Sequence, residues 1–319
     1  MEKVKKEIAG RLGRMDRSRL GAKILSGLSR VFLYVFLSGI SYIFLFPFLY
    51  MLVTSFKDAV DLFDFSVTWL PRRLEWRNYA IAYELMEYPR YFLNSLLLTG
   101  VCTAGQLFSC SFVAYGFARY RFAGRQFWFL VLLLSIVIPP QTIIVPSYII
   151  FSNLGWLKSY LPMMVPSFLG LGLKGGLFIY IYRQFYMGLP RDLENAAKID
   201  GCSYLGTYWR IVLPVSRSSM LVVGILSMVW HWNDYYEPSI YAPARELALL
   251  PRKTYQMIEY VSDPPLDQLA QFITSGEGNP LNTAVLMAGM MMCLLPILLL
   301  FLLLQRGFME GIERTGLVE

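Results

Sequence analysis

Charged residues and histidine are scarce in this sequence of 319 residues. Only 16% of the residues are charged, 56% are hydrophobic, and His231 is the single histidine. A water-soluble domain of this size rarely has so apolar a composition. One imidazole has no second imidazole with which to share a metal, and no Ser/His/Asp or paired-carboxylate arrangement falls within one loop. The sequence therefore gives no indication of catalysis.

Paired cysteines and a nucleotide-binding loop are also missing. The four cysteines contain no CxxC pair, which argues against a disulfide framework or a cysteine metal site; they are Cys102, Cys110, Cys202 and Cys293. The segment GLGLKGG at 170–176 lacks the hydroxyl residue of a phosphate-binding loop and lies in an apolar stretch. We therefore expect no cofactor on this chain.

Long apolar runs are what the sequence does have. Each of six runs is long enough to cross a hydrocarbon core of about 30 Å, which takes roughly 20 helical residues. They cover approximately 31–54, 92–118, 127–151, 160–185, 213–236 and 282–304. The sequence therefore predicts an all-α polytopic membrane protein with six transmembrane helices.

The distribution of lysine and arginine predicts the orientation, because basic residues near span ends are retained on the cytoplasmic side. With the N-terminus inside, the larger set of basic residues is cytoplasmic: Lys3, Lys5, Lys6, Arg11, Arg14, Arg17, Arg19, Lys23, Arg30, Arg119, Arg121, Arg125, Arg183, Arg191, Lys198, Arg210, Arg217, Arg306 and Arg314. The smaller set then faces outside: Lys57, Arg72, Arg73, Arg77, Arg90, Lys158, Arg245, Arg252 and Lys253. An even number of spans then places both termini in the cytoplasm. The expected location of the chain is the plasma membrane.

Three regions follow from this topology. Residues 1–30 form a basic cytoplasmic tail whose apolar residues have roughly helical spacing, which predicts an interfacial helix. Beside a membrane span, attraction to anionic lipid head groups or a purely topogenic role is favoured over nucleic-acid binding. Residues 31–304 form the six-span domain, and residues 305–319 form a cytoplasmic C-terminal tail.

A polar segment at 190–214 separates the predicted fourth and fifth spans. Pro190 suits the first turn of a helix, and Glu194 in that turn complements the positive end of the helix dipole. Ala196 and Ala197 are strong helix formers, and Gly201 can adopt the left-handed conformation that ends a helix. The segment predicts a short cytoplasmic helix with a smooth alanine face.

A second short helix should follow this one. Ser203 can cap its start, and Pro214 is expected to stop it at the membrane. From the residues alone, two readings of the whole segment stay open. Its alanine face fits a groove on another protein, because small residues allow close approach of two backbones, or the segment rests on the membrane as an amphipathic loop.

The motif ENAAKIDG followed by IVLP resembles the EAA loop of the membrane subunits of type I ABC importers, in particular the carbohydrate-uptake branch with its maltose and glycerol-phosphate permeases. Further matches extend from about residue 31 to the end: Asn78, Tyr79, Asn94, Ser95, Ala114, Tyr115, RYRFAGR at 119–125, Pro139, Pro140, Pro146, Trp232, Asn233, Asp234 and QRGFMEGI at 305–312. One departure is Asn195, which stands where the family pattern has an acidic residue. Glu194 is the nearby acid that remains.

This resemblance implies a division of labour among several chains. Two related permeases would form the path, a cytoplasmic ATPase dimer would bind ATP and Mg, and an extracytoplasmic solute-binding protein would deliver the solute. The EAA helix would be the coupling helix that docks in a cleft of the ATPase and swings the attached spans between two states. Pro190 and Gly201 would be its ends, Ala196 and Ala197 its contact face, and Asp200 a residue that holds the turn.

Charges inside spans cost roughly 2.5–3.5 kcal/mol each, so Lys174 and Asp234 need an explanation. Either they face the path, where they bind a hydroxyl-rich solute or form a switchable pair, or they have local partners. In the second case Lys174 meets a helix carbonyl or reaches the inner surface, and Asp234 caps a helix. Trp232 and Asn233 are candidates for the same path, although an aromatic residue at a membrane boundary is also typical of an interfacial belt. Pro139, Pro140 and Pro146 must break the third span, which predicts a hinge at Pro139 and Pro140 or a wall of the path, or else a static kink.

Two alternatives to a sugar permease stay open at this point. A type I importer for a non-sugar solute would have the same coupling loop. A membrane-integral enzyme such as a glycosyltransferase would need a carboxylate or histidine cluster in a large loop, and the sequence contains none. The external loops at 55–91 and 237–281 are acidic enough to receive a binding protein, or are solvated connectors.

Overall fold

The computed structural model describes residues 2–64, 66, 67, 69–263 and 281–316, and the side chains within them except those of 2–26, 246 and 310–316. Every regular element in these ranges is helical. In chain order they are α1 Glu2–Ser55, α2 Ala59–Phe63, α3 Arg77–Leu85, α4 Tyr88–Arg119, α5 Arg125–Val137, α6 Pro140–Asn153, α7 Leu161–Phe168, α8 Gly175–Gly188, α9 Asp192–Ile199, α10 Tyr204–Thr207, a π-helical turn Tyr208–Val212, α11 Leu213–Val215, α12 Arg217–Asn233, α13 Tyr236–Tyr241, a 3₁₀ turn Arg245–Leu247, α14 Leu250–Ser262 and α15 Thr283–Gly316.

By length and composition, three helical segments are apolar enough to cross a membrane unaided: Gly27–Ser55, Tyr88–Arg119 and Thr283–Met309. Two further pairs pass the same test only when a bent pair is taken as one span. The α5–α6 pair bends by 106°, and the helical run Tyr204–Val215 bends by 77° against α12. The described ranges thus contain between three and five spans by this criterion, whereas the sequence predicts six.

Three of the six predicted runs are interrupted. Pro139 and Pro140 break the third run, because a residue that precedes proline is driven into an extended conformation, and Ile138 has ψ 122°. The predicted break is confirmed at Pro139 and Pro140 and is wrong for Pro146, which lies inside α6 without ending it. The fourth run divides into α7 and α8 at residues 169–174, where Gly170, Gly172 and Lys174 have positive φ. The fifth run bends at Ser216.

Helix α4 is the central rod of the bundle and packs against α7, α8 and α12. Its buried positions are rich in small residues, including Cys102, Gly105 and Ala114. A Cβ atom on Gly105 would lie 2.9 Å from the ring of Phe168 in α7, so glycine is required for this approach. Small interface residues of this kind are what allow helices to pack closely in lipid.

The two ends of α4 meet different parts of the chain. At its start, which we call the Tyr88 end, Asn94 Nδ2 donates to the Ala248 carbonyl (3.0 Å) and Leu250 N donates to Ser95 Oγ (2.9 Å). Lys158 N in the α6–α7 connection donates to the Tyr241 carbonyl (2.9 Å), so that connection packs beside the same loop. At the other end, the Arg119 end, lie the last residues of α8 and the helix α9.

Helix α1 lies on the outside of the bundle and packs mainly on α15. No residue in the most apolar window of Gly27–Ser55 is buried within this chain. The helix extends without a break from Glu2 through this span. Residues 2–30 are therefore helical and continuous with the span. Whether they form an interfacial helix at the membrane surface stays a prediction.

Candidate functional site

The short helix predicted in the polar segment is present as α9. It runs from Asp192 to Ile199, two residues later than expected, so Pro190 lies in the connection before the helix and not in its first turn. Glu194 in the first turn and Lys198 in the last turn have the signs that stabilise the helix dipole.

The end of α9 is a glycine turn, as the sequence predicts. Gly201 has φ +77°, its N–H donates to the Lys198 carbonyl (3.1 Å), and Cys202 N donates to the Ala197 carbonyl (2.9 Å). These two bonds form a Schellman motif, which satisfies carbonyls that the helix itself leaves free. Asp200 joins the turn through its backbone N–H, which donates to the Ala196 carbonyl (3.0 Å), and its side chain is exposed.

The two alanines of α9 differ in exposure. Ala196 is exposed, whereas Ala197 is only 2% exposed and packs within this chain, so its small size brings α9 close to its own bundle. Ile199 is 86% exposed and lies on the same face as Ala196 and Asn195. The sequence reading included Ala197 in the outward face and missed Ile199, because it did not fix the rotation of so short a helix.

The second helix of the segment begins as predicted but does not end as predicted. Ser203 Oγ accepts a hydrogen bond from Gly206 N (3.1 Å) and caps α10. The helix then widens into a π-helical turn at Tyr208–Val212 and continues through Pro214 to Val215. The missing N–H of proline is tolerated here, because Pro214 lies near the start of α11 and Ser216 N still donates to the Val212 carbonyl (3.0 Å).

Arg119 connects α9 to the bundle. Its Nε lies 2.8 Å from Glu194 Oε1, and its Nη2 donates to the Leu189 carbonyl (2.6 Å). The two side chains of the ion pair are 6% and 13% exposed. The Nε–H is not well aligned on the carboxylate for a hydrogen bond, so the attraction is mainly ionic.

A cluster of hydroxyl groups lies about two helical turns before Arg119 along α4. Ser111 Oγ in α4 is hydrogen-bonded to the Tyr186 hydroxyl of α8 (2.6 Å) and to the Tyr208 hydroxyl of the π-helical turn (2.8 Å). All three residues are buried, and Tyr115 packs against both tyrosine rings. Polar bonds and aromatic packing thus join α4, α8 and the segment that follows α9.

A cavity of about 710 Å³ opens between α5, α6 and the α7–α8 connection. Its lining is mostly apolar, with polar groups from Ser135, Ser147, Lys174 and Glu237. Lys174 borders this cavity and places its Nζ 4.5 Å from the centroid of the Trp230 ring, a cation–π contact. The sequence reading assigned Glu237 to the external loop at 237–281, whereas the structure places this residue in the lining of the cavity.

The other predicted path residues have local partners. Trp232 is buried against α4 and α15, and its indole N–H donates to the Cys293 carbonyl (3.0 Å), so it does not line the cavity. Asn233 Nδ2 donates to the Val229 carbonyl one turn back (2.8 Å). Asp234 Oδ1 accepts from Tyr236 N (3.0 Å) and caps the turn into α13, as one of the two sequence readings had it.

A buried polar network behind the cavity escaped the sequence reading altogether. Gln106 Nε2 in α4 donates to the Leu173 carbonyl (2.8 Å), which fixes the α7–α8 connection. Its Oε1 accepts hydrogen bonds from Ser227 Oγ (2.7 Å) and His231 Nε2 (3.2 Å). Because a carbonyl oxygen only accepts, His231 carries its proton on Nε2. The single histidine is thus a packing residue, and the described ranges contain no group of three potential metal ligands.

A sequence profile of binding-protein-dependent transport system inner membrane components matches residues 109–313. This stretch is more than half of the chain and includes α9 and the residues that line the cavity. The chain belongs to this family. It is thus a transport permease subunit, which removes the membrane-integral enzyme from the alternatives. As an inner membrane component it is an integral part of a cell membrane.

Individual relatives agree with the family assignment. The permease is 28% identical over 269 residues to the arabinooligosaccharides transport system permease protein AraQ of Halalkalibacterium halodurans, covering 83% of this chain and 88% of that one. It is 28% identical to the probable ABC transporter permease protein YurM of Bacillus subtilis, with 88% and 85% covered. The sn-glycerol-3-phosphate permease UgpE of Yersinia enterocolitica is 25% identical, with 82% and 87% covered.

A solved structure shows the same fold. The permease superposes on a chain of a bacterial ABC transporter involved in the import of the acidic polysaccharide alginate with a TM-score of 0.72. The sequence identity is 18%, and 86% of this chain and 95% of the other are covered. The fold described above is therefore shared with a chain of that transporter.

Proposed function

We propose that this permease forms half of the translocation path of an ATP-driven carbohydrate importer and is driven by a cytoplasmic ATPase that holds α9. The observation that carries the proposal is the exposed face of α9. A large aliphatic side chain that is 86% exposed at the tip of a polar loop, beside the exposed Ala196, fits a groove on another protein. Nucleotide and Mg would bind to that ATPase.

The proposed contact face consists of Asn195, Ala196 and Ile199. Asn195 offers the ATPase an uncharged amide where the family pattern has a carboxylate, so this contact relies on apolar burial and not on an ion pair. Ala197 supports the face from within by letting α9 lie close to the bundle. The turn at Gly201 fixes the direction in which α9 leaves its connection.

Successive connections between the helices alternate between the two ends of α4, and this alternation supports six crossings of the membrane. The α3–α4 connection, the α6–α7 connection and the loop after α12 all lie at the Tyr88 end. The end of α8 and α9 lie at the Arg119 end. In this proposal α5 with α6 forms one bent span and α7 with α8 another. The predominance of basic residues then puts the Arg119 end and both termini in the cytoplasm.

The proposed solute is a carbohydrate or a similar hydroxyl-rich compound. Support comes from the arabinooligosaccharide and glycerol-phosphate permeases among the relatives. The cavity beside Lys174 is the proposed wall of the path, and Pro139 with Pro140 is its proposed hinge. A non-sugar solute is the second candidate, because neither α9 nor the mainly apolar cavity is specific for a sugar. The proposed partners are an ATPase dimer, a second permease and an extracytoplasmic binding protein.

The partners are tested by affinity purification of this chain from its native membrane in mild detergent, followed by mass spectrometry. We expect an ATPase subunit and a second, related permease. Recovery of this chain without any ATPase would contradict the proposal.

The solute class is tested by adding arabinooligosaccharides or sn-glycerol-3-phosphate, with the purified binding protein, to the reconstituted complex. Stimulation of ATP hydrolysis by neither compound would favour the second candidate.

The contact face is tested by Ile199→Asp. A charge at this position would face an apolar groove without a partner, so we expect at least a tenfold loss of copurified ATPase with normal insertion of the permease. Leu70→Asp is the matched control, because Leu70 is equally exposed but lies in the first external loop. Unchanged ATPase recovery with Ile199→Asp would refute docking through α9.

A further inference from the structure

Three helix ends meet at the guanidinium of Arg119. Arg119 is the last residue of α4, Leu189 follows the last residue of α8, and Glu194 lies in the first turn of α9. Nε faces the Glu194 carboxylate and Nη2 donates to the Leu189 carbonyl. No sequence motif predicted this junction, because Arg119 and Glu194 are distant in the chain.

We infer that the Arg119–Glu194 ion pair is the joint through which movement of α9 reaches the membrane-spanning helices, and that Arg119 is a positioning residue for coupling. The inference rests on the proposed function, since it presupposes that an ATPase moves α9. It adds the route by which that movement enters the bundle.

The shielding of this pair distinguishes it from ordinary surface ion pairs. Both side chains are largely withdrawn from solvent, so water and salt screen their attraction less than they screen exposed pairs. It is the one ion pair between α9 and the rest of the bundle among the described residues. Two other cations, Arg183 in α8 and Lys198 in α9, contact aromatic rings: Arg183 lies over the Phe129 ring and Lys198 over the Tyr204 ring.

The helices that adjoin the pair are packed and hydrogen-bonded to one another, so we expect them to move together. Arg119 belongs to α4, the helix that packs against α7, α8 and α12. The bonds of Ser111 to the hydroxyls of Tyr186 and Tyr208 join α4 to α8 and to the π-helical turn. A push on α9 that reaches Arg119 is therefore delivered to several spans together. Without the pair, α9 stays attached through its two backbone connections and the packing of Ala197.

A reporter in the cavity tests this route without knowledge of the solute. Ser135 in α5 lines the cavity, so Ser135→Cys reacts with a water-soluble maleimide at a rate that depends on the state of the bundle. Cys202 and Cys293 are replaced by serine beforehand, and the whole complex with its ATPase is reconstituted in proteoliposomes. Trapping with MgATP and vanadate is expected to change the labelling rate several-fold when Arg119 and Glu194 are intact.

The variants then separate transmission from folding. Arg119→Ala should reduce the nucleotide-dependent change at least fivefold while the ATPase remains bound and hydrolyses ATP. The double variant Arg119→Glu with Glu194→Arg should recover at least half of the change, and Arg119→Lys should retain part of it. Arg121→Ala is the matched control, because Arg121 is an exposed cation two residues further along.

Three outcomes would overturn the inference. An unchanged response of Arg119→Ala is one, and a double variant no better than either single variant is another. Loss of bound ATPase from both Arg119→Ala and Arg119→Lys is the third, since it would assign the pair to the shape of the docking face. Failure of the proposed function gives a different result, because Ile199→Asp would then retain the ATPase whatever the pair does.

Discussion

Gly201 is the residue of the α9 loop whose backbone conformation restricts its identity most. Its φ of +77° is in the left-handed region, and a Cβ atom there would meet nothing within 4 Å. A substitution therefore strains the backbone without a steric clash. A branched side chain in this region is disfavoured by roughly 1–2 kcal/mol relative to glycine. The turn, and with it the angle at which α9 leaves its connection, depends on this residue.

We expect Gly201→Val to assemble with its ATPase and to import less solute per ATP hydrolysed, because the strained turn changes the direction of α9. Gly201→Asn is the matched control, since asparagine tolerates the left-handed region and should stay close to the wild-type ratio. The measurement is solute uptake against phosphate release in proteoliposomes. An equal ratio for valine and glycine would argue against a role of this turn in coupling.

Glu87 connects two elements at the Tyr88 end of the bundle, the start of α4 and the loop that leads into α14. Its carboxylate accepts a hydrogen bond from Arg245 and lies 3.8 Å from Lys253 Nζ and 3.9 Å from Arg90 Nη1. The hydrogen bond from Arg245 and the charges of Arg245, Lys253 and Arg90 hold the pKa of Glu87 below its ordinary value. Deprotonated Glu87 thus stabilises the docking of this loop on α4.

The sign of the pH dependence follows from the lowered pKa. The stabilisation is fully present above the pKa of about 4.3 that an unfolded glutamate has, and it is lost as pH falls through the lower pKa of the folded state. We expect the backbone amides of residues 247–253 to be less protected from deuterium exchange at pH 3 than at pH 7, after correction for the pH dependence of the intrinsic exchange rate. Glu87→Gln should abolish this extra dependence. The same pH profile in both proteins would assign the effect to another group.

At the level of elements, the sequence predicted α9 and its glycine turn well, because helix formers, dipole charges and a terminating glycine act locally. It did not predict that Ala197 faces inward or that Ile199 faces outward, since that rotation is set by packing against the π-helical turn. The breaks at Pro139 were predictable from proline geometry. The division of the fourth run at 169–174 was not predicted, although Gly170 and Gly172 gave a local signal for it. The Gln106 bond to the Leu173 carbonyl, which fixes this connection, joins residues far apart in the chain and has no local signal.

At the scale of the whole molecule, one chain leaves much apolar surface uncovered. The span in α1 has no buried residue in its most apolar window, and α5 and α6 expose large side chains such as Val137 and Val145. Lipid covers such surfaces in a membrane, and a second permease would cover part of them in the proposed importer. The path then lies between two bundles, and the cavity beside Lys174 would form one wall of it.

The bend of 106° between α5 and α6 permits two topologies that give opposite results in a labelling experiment. If the pair is one bent span, Asn153 and Arg121 lie on opposite sides of the membrane; if it re-enters, they lie on the same side. We expect opposite sides, because the α6–α7 connection bonds to the Tyr241 carbonyl near the Tyr88 end of α4, whereas Arg121 follows its Arg119 end. In a protein with Cys202 and Cys293 replaced by serine, an impermeant maleimide should label Asn153→Cys on intact spheroplasts and Arg121→Cys only in inverted vesicles. Labelling of both from the same side would make α5–α6 a re-entrant hairpin and reduce the number of crossings to an odd one, so that the two termini would lie on opposite sides of the membrane.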